Sequence, residues 1–153
     1  MNENGNKKGE YQTNLVQHAF RLLLGLFLLT AGTGHLTFLR VEFLAQVPNW
    51  APVDGDLVVI LSGIAELILG AGLIILPGRY RVVNGWLAAA FFVAIFPGNI
   101  AQYLNRIDAF GLTTDRARFI RLFFQPVLVG WTLWVTGAWQ AWRRGGMTIE
   151  SRE

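Results

Sequence analysis

The stretch that decides the fold is Leu57–Leu76, LVVILSGIAELILGAGLIIL, which carries one ionisable side chain, Glu66, at its middle. As a helix rising about 1.5 Å per residue, it is long enough to cross about 30 Å of hydrocarbon. It contains thirteen Leu, Ile and Val residues. At about −0.3 to −0.6 kcal/mol each, these outweigh the cost of about 2.5–3.5 kcal/mol for one carboxylate at bilayer depth. We therefore expect the stretch to span a membrane, and Glu66 to be the first residue to consider for function.

Three further apolar stretches have a similar length: Leu15–Leu36, Val82–Leu104 and Phe119–Trp142. A soluble amphipathic helix would carry charges on every second turn, and these stretches do not. The chain of 153 residues is 53% hydrophobic and contains six Trp and eleven Phe, which is more than a soluble domain of this size needs. The sequence predicts an all-α protein, an integral membrane four-helix bundle.

The loop between the first two predicted helices, Thr37–Asp56, has an unusual composition. It is too apolar for a solvated loop, and its prolines make it too short and broken to span. We expect an interfacial helix that ends at the Pro48 turn and is anchored by Trp50.

Basic residues at the helix ends indicate the orientation, because Lys and Arg are more frequent in cytoplasmic loops. With the N-terminus inside, the cytoplasmic side holds Lys7, Lys8, Arg79, Arg81, Arg143, Arg144 and Arg152. The opposite side holds Arg40, Arg106, Arg116, Arg118 and Arg121. We predict N-in/C-in, with residues 1–14 as a disordered cytoplasmic N-terminus, 15–144 as the four-helix transmembrane domain and 145–153 as a cytoplasmic tail.

Polar side chains from all four predicted helices fall at one depth, toward the outer side. Glu66 lies about nine residues, or ~13 Å, from the outer end of its helix, and the other polar residues reach a similar level when counted from their own helix ends. The candidate site residues are Glu66, His35, Asn99, Gln125, Arg121 and Gln102. The inner half looks nearly bare, with Arg21, His18 and Asn84 as its main polar residues.

This arrangement predicts a small apolar pocket with a polar floor in the outer half of the bundle. Pro97 and Pro126 lie at similar depths, where kinks would keep the helices apart. We expect the aromatic walls to come from Phe91, Phe92, Phe96 and Phe123.

Each candidate also has a purely structural interpretation. Arg121 can extend to the lipid head groups, His35 can bond a loop carbonyl, and Asn99 can satisfy backbone groups freed by Pro97. Glu66 can form a buried pair with Arg121 or His35. For the set as a whole, the alternative to a pocket is a dry hydrogen-bond network.

The composition excludes several chemistries. The chain has no cysteine, which removes thiolate metal sites, disulfide exchange and Fe–S clusters from its own repertoire. Its only histidines, His18 and His35, lie ~25 Å apart along one predicted helix, so they cannot ligate a single haem. The basic residues behind the net charge of +3 sit at helix ends, which is no sign of a nucleic-acid partner. We predict no metal site and no nucleic-acid binding.

Five segments stand in a fixed order along the predicted helices. They are Ala31-Gly32-Thr33-Gly34-His35, Val47-Pro48-x-Trp50-x-Pro52, Ser62-Gly63-x-Ala65-Glu66-Leu67-x-x-Gly70, Phe96-Pro97-Gly98-Asn99-Ile100 and Arg121-Leu122-x-x-Gln125-Pro126. Together they resemble the DoxX family of small bacterial membrane proteins. The resemblance implies a four-helix bundle in the bacterial cytoplasmic membrane, with family positions at His35, Glu66, Asn99 and Gln125. It also implies an association with membrane redox chemistry, as in a thiosulfate:quinone oxidoreductase subunit or a complex for oxidant defence.

The sequence leaves several functions open, including whether the chain is an enzyme at all. The first is a subunit of a membrane redox system whose pocket binds a quinone- or lipid-like molecule, with a membrane or soluble redox partner protein. The second is a non-enzymatic anchoring or assembly subunit that uses Thr37–Trp50 as its contact surface. A proton-coupled carrier is less favoured, because four short helices without an inverted repeat suit alternating access only if the chain forms a homo-oligomer.

Overall fold

The computed structural model describes residues 13–150, so most of the predicted disordered N-terminus and the last three residues of the predicted tail lie outside the described residues. The described part consists of helices joined by loops and contains no strand. Its helices are α1 (Leu15–Leu36), α2 (Arg40–Leu44), α3 (Gly55–Ile75), α4 (Gly78–Leu104), α5 (Asp115–Leu122), α6 (Phe124–Thr136) and α7 (Ala138–Glu150).

Four helical segments are long and apolar enough to cross a membrane: α1, α3, α4 and the combined segment Asp115–Thr136. The predicted all-α class with four candidate spans is confirmed. The bounds of α1 agree with the prediction, whereas α3 and α4 begin a few residues earlier, at Gly55 and Gly78. Asp54 explains the first of these differences, because its side chain accepts hydrogen bonds from the free backbone N–H groups of Asp56 and Leu57. The N-in/C-in orientation stays a prediction.

The predicted fourth helix, Phe119–Trp142, is wrong in its bounds and its continuity. The span starts earlier, at Asp115, and it is interrupted at Phe123. Pro126 then lies in the first turn of α6, where backbone N–H groups have no acceptor within the helix. Gly137 adopts a left-handed conformation with φ 73° and ends α6. The end of the predicted helix, together with the predicted tail as far as Glu150, therefore belongs to the separate helix α7.

Glycines join α1 to α3 at two levels of an antiparallel contact. A Cβ atom on Gly32 would lie 2.7 Å from the carbonyl oxygen of Gly63, and one on Gly70 would lie 2.9 Å from that of Gly25. Such close backbone approach is typical of helix pairs in membranes, where small residues make the interface. Since α4 packs chiefly on α6, the bundle consists of two tight helix pairs with fewer contacts between them.

The half of the bundle that contains the start of α1 and the end of α6 has a buried polar layer. Its members are Gln17, Arg21, Arg81, Asn84, Thr132 and Thr136. Arg21 donates to the carbonyl oxygen of Leu73, and the Asn84 amide donates to that of Leu69 at 3.1 Å. The expectation of a nearly bare inner half is wrong, because most of these side chains bond backbone carbonyls and form no motif that the sequence displays.

The opposite end of the bundle, here called the loop end, is closed by α2 and by the 105–114 loop. The Glu42 carboxylate accepts a hydrogen bond from the backbone N–H of Phe110, and the Gln46 amide donates to Gln102. The predicted interfacial helix is thus only five residues long, and it is tied to the bundle. An apolar core separates the loop end from the polar layer; it consists of Leu24, Leu28, Leu69, Leu73, Ala88, Phe92 and Val135.

Candidate functional site

A cavity of about 530 Å³ lies at the loop end, between the two helix pairs. All four spanning segments contribute to its lining, and so does the segment that contains α2. Of the six candidate residues from the sequence, five line this cavity: His35, Glu66, Asn99, Arg121 and Gln125. The structure therefore brings together most of the residues that depth counting had placed at one level.

The sixth candidate, Gln102, lies outside the lining. Its side chain is buried, with 1% of the residue exposed. It accepts a hydrogen bond from Gln46, and it donates to the carbonyl oxygens of Ile107 and Ala109 at 3.4 and 3.3 Å. Gln102 thus holds the 105–114 loop against the helices and does not face the cavity.

His35 on α1 and Glu66 on α3 form a close pair in the cavity wall. His35 Nδ1 lies 2.8 Å from Glu66 Oε2 and 3.1 Å from the carbonyl oxygen of Ala31. Both residues are buried, and Phe43 stacks on the imidazole ring. Glu66 Oε2 accepts no well-aligned hydrogen bond from the described residues. The pair can therefore hold a proton beside the cavity while one carboxylate oxygen keeps spare hydrogen-bonding capacity.

Arg121 lies on another part of the wall, among neutral groups. Its Nε and Nη2 atoms donate to Asn99 Oδ1 and Gln46 Oε1, each at 3.3 Å. Its guanidinium carbon lies 4.7 Å from the centre of the Phe110 ring, a cation–π distance. None of the ion pairs within 4 Å among the described side chains includes Arg121. Of the two partners predicted for Glu66, Arg121 and His35, the structure therefore shows His35.

A chain of amide hydrogen bonds continues from Arg121 into the helices. The Asn99 amide donates to Gln125 Oε1 at 3.0 Å, and the Gln125 amide donates to the carbonyl oxygen of Phe92 at 2.6 Å. Asn99 therefore bonds side chains, and the prediction that it serves backbone groups freed by Pro97 is wrong. In Asn99 and Gln125, the side-chain oxygen accepts from the preceding donor and the side-chain N–H donates to the next acceptor. Both amide oxygens therefore point toward Arg121.

The aromatic walls differ from the prediction. Of the expected Phe91, Phe92, Phe96 and Phe123, only Phe92 lines the cavity. The other aromatic lining residues are Phe27, Phe43, Trp50 and Phe110. Phe123 is 58% exposed on the outside of the bundle. The prediction failed because depth along a helix does not fix the rotation of the helix about its axis.

Phe110 is held in a costly conformation at the cavity wall. Its φ is 56°, and the left-handed region costs an L-residue with a side chain about 1–2 kcal/mol. Three contacts hold it there: Glu42 accepts from its backbone N–H, the Phe43 ring meets its ring edge-to-face at 4.7 Å, and Arg121 lies over its face. Sequence reasoning missed Glu42, Gln46 and Phe110 as parts of the site, although the Phe110–Gly111 turn was a signal of unusual backbone there.

The cavity reaches the surface at the loop end, where its lining residue Trp50 is 70% exposed, and also on the side of the helices. Phe27, which is 50% exposed, and the exposed Ala94 and Pro97 belong to its lining. These residues lie within the candidate spanning segments.

The described residues contain no group of three His, Asp or Glu side chains close enough to hold a metal ion. What the site contains is a proton-binding pair, a cation and a set of amides around an apolar space. This arrangement can bind the hydrogen-bonding head of a small molecule and exchange a proton with it.

A family model described as Domain of unknown function (DUF8561) matches residues 24–136. The match spans α1 to α6, and therefore the whole cavity. No curated protein and no solved structure matches the chain. The family match corrects the expectation from the resemblance, because the family that it shows is DUF8561 and not DoxX. Small residues such as glycine are enriched generally where membrane helices pack.

Proposed function

We propose, for a chain that belongs to the DUF8561 family, that the protein binds a small apolar molecule with a hydrogen-bonding head, of the quinone- or lipid-like kind, in the cavity at the loop end. The family description names no activity, so the proposal rests on the site alone. One observation carries it: His35, Glu66, Asn99, Arg121 and Gln125 converge from different helices on a single cavity.

The size and lining of the cavity support a small-molecule ligand. Ligand pockets usually occupy about 300–1,000 Å³ and combine apolar walls with a few placed polar groups, and the cavity of about 530 Å³ lies in that range. Val59, Phe92, Ile95 and Leu128 are among its apolar lining residues. A dry hydrogen-bond network, the alternative from the sequence, would leave no such space among the polar side chains.

The polar groups have capacity left for a ligand. An arginine carries five N–H groups, and hydrogen bonds to described residues use only two of the three guanidinium nitrogens of Arg121. On the other wall, the Glu66 carboxylate faces His35 Nδ1 through Oε2, at 2.8 Å. Buried polar groups are usually satisfied, so the unused donor capacity of Arg121 favours a bound head group at its wall of the cavity.

The lateral opening supports delivery from the bilayer. The lining residues that are exposed within the spanning segments are Phe27, Thr30, Ala94 and Pro97. An alkyl or isoprenoid tail can extend through this opening while the head remains inside. If the molecule is a quinone, the His35–Glu66 pair can supply a proton to a carbonyl oxygen, and electrons would have to come from a redox partner protein.

The test uses two matched substitutions on α4. Ala94 lines the cavity, whereas Ala90, one turn away and also exposed, does not. Ala94→Phe should fill the opening and remove most of any small molecule that is carried through purification in a neutral detergent, as measured by native mass spectrometry. Ala90→Phe should retain it. Absence of a bound molecule from the wild type, or equal occupancy in the two variants, would contradict the proposal. The mass also distinguishes a quinone from a lipid.

A further inference from the structure

We infer that the head group of the ligand is an anion bound by Arg121, so that the cavity selects an amphiphilic oxyacid, a carboxylate or phosphate on an apolar chain, over neutral molecules. This inference rests on the proposed function, since it specifies the chemistry of the molecule that the cavity binds. It depends on the charges around the cavity and on the contacts of Arg121.

The cavity has two charged walls, and the two charges are not paired with each other. Glu66 is engaged by His35, whose Nδ1 lies 2.8 Å from its Oε2. Arg121 has no carboxylate within 4 Å among the described side chains. Glu66 therefore does not act as the direct counter-ion of Arg121. Of the other charged residues at the loop end, Arg118 pairs with Asp108 and Asp115, and the Glu42 carboxylate accepts from the backbone N–H of Phe110.

A cation in a membrane interior is costly unless a charge or several dipoles compensate it. The compensation that the described residues offer Arg121 is neutral: two amide oxygens and the face of Phe110. These contacts hold the guanidinium in place at the cavity wall, and they leave at least one of its nitrogens without a partner among the described residues. The planar guanidinium can bind a carboxylate or phosphate through two parallel hydrogen bonds, which a neutral carbonyl cannot reproduce.

The neighbouring amides reinforce this preference by fixing the direction of the cation. Asn99 and Gln46 accept from Arg121, and each then donates its own N–H to a further partner, Gln125 or Gln102. Both amide oxygens are therefore held on the guanidinium, and the side chain cannot turn away without breaking its two hydrogen bonds to them. A preorganised cation of this kind favours an anionic ligand over a merely polar one.

Photo-crosslinking in lipid nanodiscs tests the inference on the full chain. The probes are a twelve-carbon carboxylic acid with a diazirine in its chain and the corresponding alcohol. Charge-assisted hydrogen bonds favour the acid by about tenfold, so the acid should label cavity-lining peptides about tenfold more strongly than the alcohol. Excess dodecanoate or dodecyl phosphate should suppress this labelling, and decylubiquinone should not. Which of the two anions competes better separates a free fatty acid from a lipid phosphate as the source of the head.

Variants assign the preference to Arg121. Arg121→Gln should lose the preference for the acid, and Arg121→Lys should keep part of it. The matched control is Arg116→Gln, which removes an exposed arginine from the same helix and should keep all of the preference for the acid.

Equal labelling by acid and alcohol in the wild type would overturn the anion inference. If Ala94→Phe abolishes that labelling, the proposed function still stands. Absence of cavity labelling by every probe would overturn the proposed function itself. If Arg121→Gln does not fold, the acid-to-alcohol ratio and the competition in the wild type still decide the question.

Discussion

Gly63 on α3 leaves the space that His35 on α1 occupies: a Cβ atom on Gly63 would lie 2.8 Å from the Cβ atom of His35. Gly63 and Glu66 are three residues apart and share a face of α3. The glycine contact therefore sets the distance between the helices at the level where the imidazole meets the carboxylate. Helix packing and site geometry are coupled at this one position.

We expect Gly63→Ala to destabilise the protein by about 1–3 kcal/mol, because the added methyl group overpacks a closed helix interface. Gly130 on α6 provides the matched control, since a Cβ atom there would meet nothing within 4 Å. Gly130→Ala should be neutral or slightly stabilising, as alanine is the better helix former. The measurement is thermal unfolding in neutral detergent. Equal melting temperatures for the two variants would contradict the packing argument.

We expect Glu66 to be coupled energetically to His35 and not to Arg121. Glu66→Gln should insert normally, since the change removes the residue that is costly to insert, and it should impair ligand binding. In a double-mutant cycle for unfolding, Glu66→Gln with His35→Gln should show a coupling of about 0.5–3 kcal/mol. The cycle of Glu66→Gln with Arg121→Gln should be additive within about 0.5 kcal/mol. Strong coupling in the second cycle would show that Glu66 is paired with Arg121.

Glu42 should control the order of the 105–114 loop, because its carboxylate binds the backbone N–H that holds Phe110 in the left-handed conformation. Glu42→Ala should increase hydrogen–deuterium exchange in this loop, and Glu42→Gln, which keeps an acceptor, should increase it less. The control is Asp56→Ala, which removes the exposed ion pair with Arg40. Exposed pairs contribute little to stability, so the control should leave exchange in the loop unchanged. A larger effect from the control than from Glu42→Ala would contradict this role.

Reporter fusions test the predicted orientation. A fusion at Gly146 should report the cytoplasm and one at Gly111 the opposite side, because basic residues are more numerous at the end that carries the termini. The reverse pattern would place the cavity on the cytoplasmic side. The geometry of the cavity would remain as described, but its ligand would be drawn from the other leaflet.

The sequence alone determined the fold class and the level of the site. A helix of about twenty apolar residues can span a membrane, because its side chains suit lipid and its backbone groups bond within the helix. Leu57–Leu76 is such a segment, and it carries Glu66. Depth also follows from sequence, because the rise per residue of a helix is constant. This is why counting residues brought His35, Asn99, Arg121 and Gln125 to the level of Glu66, and the structure places all five around one cavity.

Only the tertiary structure decided which residues meet at that level. The partner of Glu66 depends on the rotation of α1 against α3, which glycine contacts between the helices fix and which no local pattern encodes. The rotation of α1 also brings Phe27 to the cavity, and the rotation of the fourth span leaves Phe123 outside. Gln102 shares a depth with the site but turns toward the loop end. Contact between distant segments also places Glu42 against Phe110, 68 residues further along the chain. The depth of a residue along its helix follows from the local sequence. The direction in which its side chain points depends on how the helices pack against each other.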